Sequence, residues 1–150
     1  MGLDSEIYRV VFLLHIAAVV VGFGAIALNG VYARQASQRG GAEGAAIGDA
    51  NRAVTRAASA AIYAVPVFGI ALVLLSDGTW GFDQLWISLS FVLYVVAAGL
   101  LGAVVIASQK RISAGSGDLD RLDTKVSAAT AAINLLVVAL IALMIWKPGA

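Results

Sequence analysis

The chain has 150 residues, of which 61% are apolar and 13% charged, with a net charge of +1 and a mean hydropathy of +0.92. A soluble domain is about half apolar and about a quarter charged, so the composition excludes a soluble enzyme domain, a nucleic-acid module and a disordered tail, and the near-neutral balance offers no field to attract a polyanion. Cysteine is absent and there is one histidine, which removes disulfides, iron–sulfur clusters, thiolate metal sites and any multi-histidine site within one chain.

Four apolar segments follow one another. They run from about Tyr8 to Tyr32, Ala57 to Ser76, Leu85 to Ser108 and Val126 to Trp146. Each reaches the roughly 20 residues that cross about 30 Å of hydrocarbon as a helix, and none carries Asp, Glu, Lys or Arg in its middle. Lipid leaves no partner for open backbone groups, so the segments read as α-helices; barrel strands are shorter and alternate in polarity. The expected fold is all-α, a single four-helix transmembrane bundle over residues 1–150.

Basic residues set the expected orientation. Arg34, Arg39, Arg52 and Arg56 lie between segments 1 and 2, and Lys110, Arg111, Arg121 and Lys125 between segments 3 and 4; Arg9 and Lys147 are left for the other face. The positive-inside rule therefore puts both long loops in the cytoplasm and both termini outside, in the inner (plasma) membrane of a bacterium. Tyr8, Trp80, Phe82, Trp86 and Trp146 fall at the outer boundary, where aromatic rings settle at headgroup level. The acidic N-terminus and the length of the first run argue against a cleavable signal peptide. The loops read as helix extensions broken by Gly40, Gly41, Gly44 and Gly48 and by residues 113–117, with Asp49 and either Ser116 or Asp118 as N-caps. The link 77–81 (DGTWG) reads as a tight turn. Arg52-x3-Arg56 and Arg121-x3-Lys125 faintly echo each other, which is compatible either with a duplicated hairpin or with chance in an alanine-rich chain.

Helix contacts in lipid rely on small residues and interhelical hydrogen bonds. His15, Ala18, Gly22, Ala25 and Asn29 share one face of segment 1. Ser127, Thr130, Ala131 and Asn134 form a similar stripe on segment 4, and Gly99 and Gly102 supply small residues in segment 3. Three polar side chains lie deep: His15 roughly 10 Å and Tyr94 roughly 14 Å below the outer boundary, and Asn134 near the midplane. An unpaired polar group at such depth costs a few kcal/mol, so these are expected to bond to one another or to backbone carbonyls.

For His15 two readings are open: a haem or metal ligand or proton relay, or a neutral imidazole that bridges helices. A haem would need His15 from two copies of the chain, or Met144 as the second axial ligand. Pro66, with Gly69 after it, removes a backbone donor and frees the carbonyl near Ile62. It is either a plain kink or the helix break that transporters use to expose backbone groups. Asn134 is either packing glue or a ligand, and Asn29 and Tyr32 read as interfacial. Arg52, Arg56, Arg121 and Lys125 are placed to meet lipid headgroups, each cation contributing roughly 1 kcal/mol near an anionic surface. Catalysis has no foothold: no Ser/His/Asp or HExxH pattern occurs, and Gly22-Phe-Gly24 lacks the strand-then-helix setting of a phosphate loop.

The opening run LLHIAAVVVGFGA and the close ALMIWKPG at Ala142–Gly149 resemble a family of small predicted four-helix integral membrane proteins of unknown function, widespread in bacteria. That family is distantly similar to the membrane region of copper-resistance protein D. The resemblance covers the whole chain, and His15 and Lys147-Pro148-Gly149 are the positions that carry it. The copper-related group is expected to hold more polar and metal-binding residues, a departure that counts against copper transport. The expected function is that of a non-enzymatic membrane protein without cofactor, an oligomeric small-solute or ion channel or transporter, or an accessory subunit of a larger complex. The alternative is a haem- or metal-binding redox module built on His15.

Overall fold

A computed structural model describes residues 2–150. The chain is helical: α1 (Glu6–Ala27), α2 (Asn29–Arg39), α3 (Gly41–Leu75), α4 (Leu85–Leu100), a π-helical segment (Leu101–Ile106), α5 (Ala107–Ser113) and α6 (Leu119–Trp146). In space these make four long rods, Glu6–Arg39, Gly41–Leu75, Leu85–Ser113 and Leu119–Trp146, each long and apolar enough to cross a membrane. They are spans 1 to 4 below. The start of α1, the end of α6 and the link 76–84 lie at one end, the terminal end; the turns near Gly40 and 114–118 lie at the other, the loop end.

Each rod exceeds its apolar core by extending at the loop end. The glycines at 40–48 were expected to break the first connection widely, with Asp49 capping the next helix. Only Gly40 and Gly41, at φ 61° and 52°, make the turn, and α3 runs on through Gly44, Gly48 and Asp49. A Cβ at Gly44 would collide with the Ala36 carbonyl, so this glycine lets α2 and α3 touch. Asp49 pairs with Arg52 inside the helix rather than capping it. The second turn behaves as expected: Asp118 accepts from Arg121 N at 3.3 Å and caps α6. At the terminal end the tight turn also forms, with Asp77 and Gly78 at positive φ and Ser76 Oγ accepting from Trp80 N at 2.9 Å.

Span 1 packs mainly on span 2, and span 3 on span 4; α2 and α6 join the two hairpins at the loop end. The centre is an apolar layer with one large side chain from each span. Ile26, Ile62, Leu101 and Ile133 are each at most 1% exposed. The small-residue face of span 1 does point inward: His15, Ala18, Gly22 and Asn29 are buried, and Ala25 packs against the core. At Gly22 the fit is tight, since an added Cβ would come within 2.6 Å of Ile62 Cγ1 and 3.0 Å of Ile62 N. Gly99 and Gly102 depart from the expectation. A Cβ at either meets nothing within 4 Å, because span 3 presents Ala97, Leu101 and Val105 to the core.

Two irregularities interrupt the rods. Span 1 breaks at Leu28, where Val31 N and Tyr32 N both turn to Leu28 O. Span 3 widens into the π segment, which sets the register that buries Ser108 and Gln109. Of the two readings open for Pro66, a kink or a break, the helix does not end there: α3 continues nine residues further, to Leu75.

Candidate functional site

The terminal-end half of the bundle encloses a cavity of about 410 Å³ that reaches all four spans. Its walls are largely aliphatic and aromatic, with Phe12, Ile16 and Val19 from span 1, Val65, Pro66 and Leu72 from span 2, Ile87 and Phe91 from span 3, and Val137, Leu140 and Met144 from span 4. The polar groups on these walls are few: His15, Ser90 and Tyr94 at depth, and Tyr8 and Lys147 at the mouth. Phe12 and Ile141, on spans 1 and 4, line the cavity and remain 49% and 48% exposed, so the wall between these spans is open to the membrane side. The Ile26–Ile62–Leu101–Ile133 layer closes the bundle toward the loop end.

The three deep polar side chains each bond to a backbone carbonyl of another span, one of the two outcomes expected of them. Tyr94 Oη donates to Ile62 O at 3.1 Å. That carbonyl is the one Pro66 leaves without a donor four residues on, so span 3 repairs the defect in span 2 and the helix continues. His15 Nδ1 lies 3.0 Å from Val65 O. A carbonyl only accepts, so Nδ1 carries the proton, and in the neutral ring Nε2 keeps its lone pair. Gly69 faces the ring: a Cβ there would sit in van der Waals contact, 3.4 Å from His15 Cε1. Asn134 Nδ2 donates to Ala27 O at 3.2 Å, at the end of α1 where the span 1 ladder is interrupted. His15 and Tyr94 thus share the cavity by docking on the same turn of span 2, while Asn134 lies apart from them.

The mouth is built from residues that read as a lipid-facing belt. Trp80 and Trp86 turn inward and meet edge to face, 5.4 Å between centroids at 89°. Trp86 is buried, and Trp80 Nε1 donates to Tyr8 Oη at 3.2 Å. Lys147, in the left-handed conformation at the end of α6, lays its ammonium 4.3 Å from the Trp80 centroid and 5.8 Å from that of Trp86. A cation over two rings is held by their quadrupoles while its stem covers apolar surface. Phe82 and Trp146 are 49% and 75% exposed.

The loop end differs. Arg56, Arg121 and Lys125 are exposed, and Arg52 is half-buried in its pair with Asp49. A groove of about 450 Å³ between α2 and α6 is lined by Arg34, Ser37, Asp120 and Asp123 among others. Asn29, read as interfacial, is fully buried and sits at the centre of a polar group with Asn51, Thr55 and Gln109. The sequence hid this group because the last three lie outside or at the edge of the apolar runs, among Arg and Lys. Only an Asn51–Thr55 spacing of four on one helix face hinted at it.

Among the described residues no group of three or more His, Cys, Asp or Glu is arranged to hold a metal. No curated protein and no solved structure matches the chain. A family model of predicted integral membrane proteins, DUF2269, matches residues 9–148, a stretch that takes in His15, Pro66, Tyr94, Asn134 and Lys147, and the chain belongs to that family.

Proposed function

We propose that the protein is a non-enzymatic carrier subunit that takes a small, largely apolar solute into the terminal-end cavity. The observation that carries this reading is the cavity itself: about 410 Å³, walled by all four spans and open toward spans 1 and 4. Ligand sites are concave, mainly apolar and furnished with a few placed polar groups, and His15 Nε2 is such a group, an acceptor for a solute that donates one hydrogen bond. The apolar layer below has the form of a hydrophobic constriction. In this reading the cavity is accessible from one side and closed to the other. The distribution of basic residues supports an inner-membrane orientation with the termini and the cavity mouth outside. Assembly with further copies, or within a larger complex, completes any path, because four helices alone leave little room for one.

Flux in proteoliposomes tests the reading, measured across a panel of ions, small polar solutes and small lipophilic amines and alcohols. The expected result is uptake of a lipophilic member, with a change in Trp80 and Trp86 fluorescence, and loss of both in Gly69→Leu, whose side chain grows into the His15 ring. No flux and no fluorescence response across the panel would sink it.

One observation favours a second reading, a haem- or metal-binding module. Metal-ligating histidines donate their other ring N–H to a carbonyl or carboxylate, as His15 does to Val65 O, and Met144 lines the same cavity. The visible spectrum of the purified protein separates the two. A Soret band that disappears in His15→Ala supports the haem and displaces the carrier.

A further inference from the structure

The buried polar group in the loop-end half lies outside the cavity and has its own unfinished bonding. Asn29, Asn51, Thr55 and Gln109 are 0%, 8%, 1% and 7% exposed and come from spans 1, 2 and 3. Asn51 Nδ2 donates to Asn29 O at 3.4 Å, and Gln109 Nε2 to Thr55 Oγ1 at 3.2 Å. Thr55 Oγ1 has a single proton and two acceptors in reach, Asn51 O at 2.8 Å and Asn29 Oδ1 at 3.2 Å. With its proton on Asn29 Oδ1, Thr55 holds the oxygen end of the Asn29 amide, and the other end, Nδ2, meets no partner. Asn51 spends its amide N–H on Asn29 O, so its Oδ1 is left over as well.

A third unpartnered atom belongs to span 4. Thr130 Oγ1 bonds to nothing, in a residue 2% exposed. It lies between Ser127, which donates to Gly30 O, and Asn134, which donates to Ala27 O, so it stands at the level of Asn29. Each buried polar atom without a partner lowers the folded-to-unfolded ratio by about 5- to 150-fold, and hydrocarbon supplies nothing to relieve it. The backbone points to the same place. Asn29 opens α2 directly after the break at Leu28, and Gln109 follows the π segment; π segments recur at functional sites. No member of the group carries a charge, so an ion seated there would lack a counter-charge.

We propose that this group is a binding site for one neutral hydrogen-bonding group, supplied either by a water molecule or by the hydroxyl or amide end of a small uncharged solute. The occupant accepts from the Asn29 amide, donates to Asn51 Oδ1 and makes its third bond to Thr130. The site stands independently of the carrier reading, since it uses no residue of the cavity.

A map of the full chain in lipid nanodiscs at better than about 2 Å tests it directly. Density is expected within hydrogen-bonding distance of the Asn29 amide and Asn51 Oδ1. A round feature identifies water and an elongated one a solute; an empty site, or an ion ringed by oxygens at ion-contact distances, overturns the proposal. Thr130→Val gives a second test through thermal unfolding in micelles. With the site occupied, valine loses a bond and the folded-to-unfolded ratio falls about fivefold. With the site empty, valine removes an unpaired hydroxyl, and a midpoint that holds or rises overturns the proposal. Should valine fail to fold, Thr130→Ser decides: folding with serine supports the site, and failure of both variants overturns it.

Discussion

The repair of the Pro66 defect by Tyr94 can be isolated by a double-mutant cycle. Tyr94→Phe removes only the hydroxyl that reaches Ile62 O at 3.1 Å. Ile62 is fully buried, and Pro66 has no N–H to offer its carbonyl, so the substitution leaves that carbonyl without any donor. A buried acceptor stripped of its partner costs about 1–3 kcal/mol, whereas interspan hydrogen bonds in membranes average about 0.6 and reach about 1.7 kcal/mol. A loss of about 1–1.5 kcal/mol satisfies both ranges. In a Pro66→Ala background the restored N–H lies four residues beyond Ile62 and can donate to it, so Tyr94→Phe should then cost about 0.5 kcal/mol or less. The coupling energy is therefore about 1 kcal/mol. Unfolding of the four proteins in mixed micelles titrated with a denaturing detergent measures it. Equal losses from Tyr94→Phe in both backgrounds would refute the reasoning, because Tyr94 would then be acting through packing alone.

Other consequences follow from the same contacts. Gly22→Ala places a methyl 2.6 Å from Ile62 Cγ1 and should cost about 1–3 kcal/mol through overpacking of spans 1 and 2, read in the same detergent titration. Gly99→Ala and Gly102→Ala meet nothing and should leave stability unchanged or raise it by up to about 1 kcal/mol through helix propensity; a clear loss at either would place that face against another chain. Lys147→Ala removes the ammonium over Trp80 and Trp86 and should cost about 0.5–2 kcal/mol, with a shift in tryptophan emission as water reaches the mouth; unchanged emission would count against a closed lid of Lys147 over the rings. Asn134→Leu leaves Ala27 O without its donor and should lower stability by about 0.6–1.7 kcal/mol, whereas a rise on adding the leucine would show that the bond contributes nothing.

Much of the fold was legible because its cause is local. An apolar run of about 20 residues without charge is a spanning helix wherever it sits, since lipid satisfies no open backbone. The Asp118 cap and the turn at 77–81 are likewise written in a few adjacent residues. The inward face of span 1 followed from spacing alone. The extensions beyond the apolar runs were less legible: their glycines argue for breaks by propensity, yet α3 passes through Gly44 because α2 lies against it. Tertiary contact overrides a cost of about 1 kcal/mol per glycine.

The sequence by itself determined that this chain has four spans, where their polar side chains fall and that Pro66 strips a carbonyl of its donor. Tertiary structure decided where those groups go. Tyr94 is 32 residues from the carbonyl it repairs, His15 is 50 from Val65 and Asn134 is 107 from Ala27, and no local pattern encodes partners so distant. It also decided that Trp80 and Trp86 meet each other at the mouth of a cavity, and that Asn51, Thr55 and Gln109 gather around Asn29. A residue at a helix end faces lipid, water or core according to how its helix is rotated. Periodicity fixes that rotation only along a continuous α-helix. The break at Leu28 and the π segment reset it, which is why the loop-end polar group emerged only from the packed bundle.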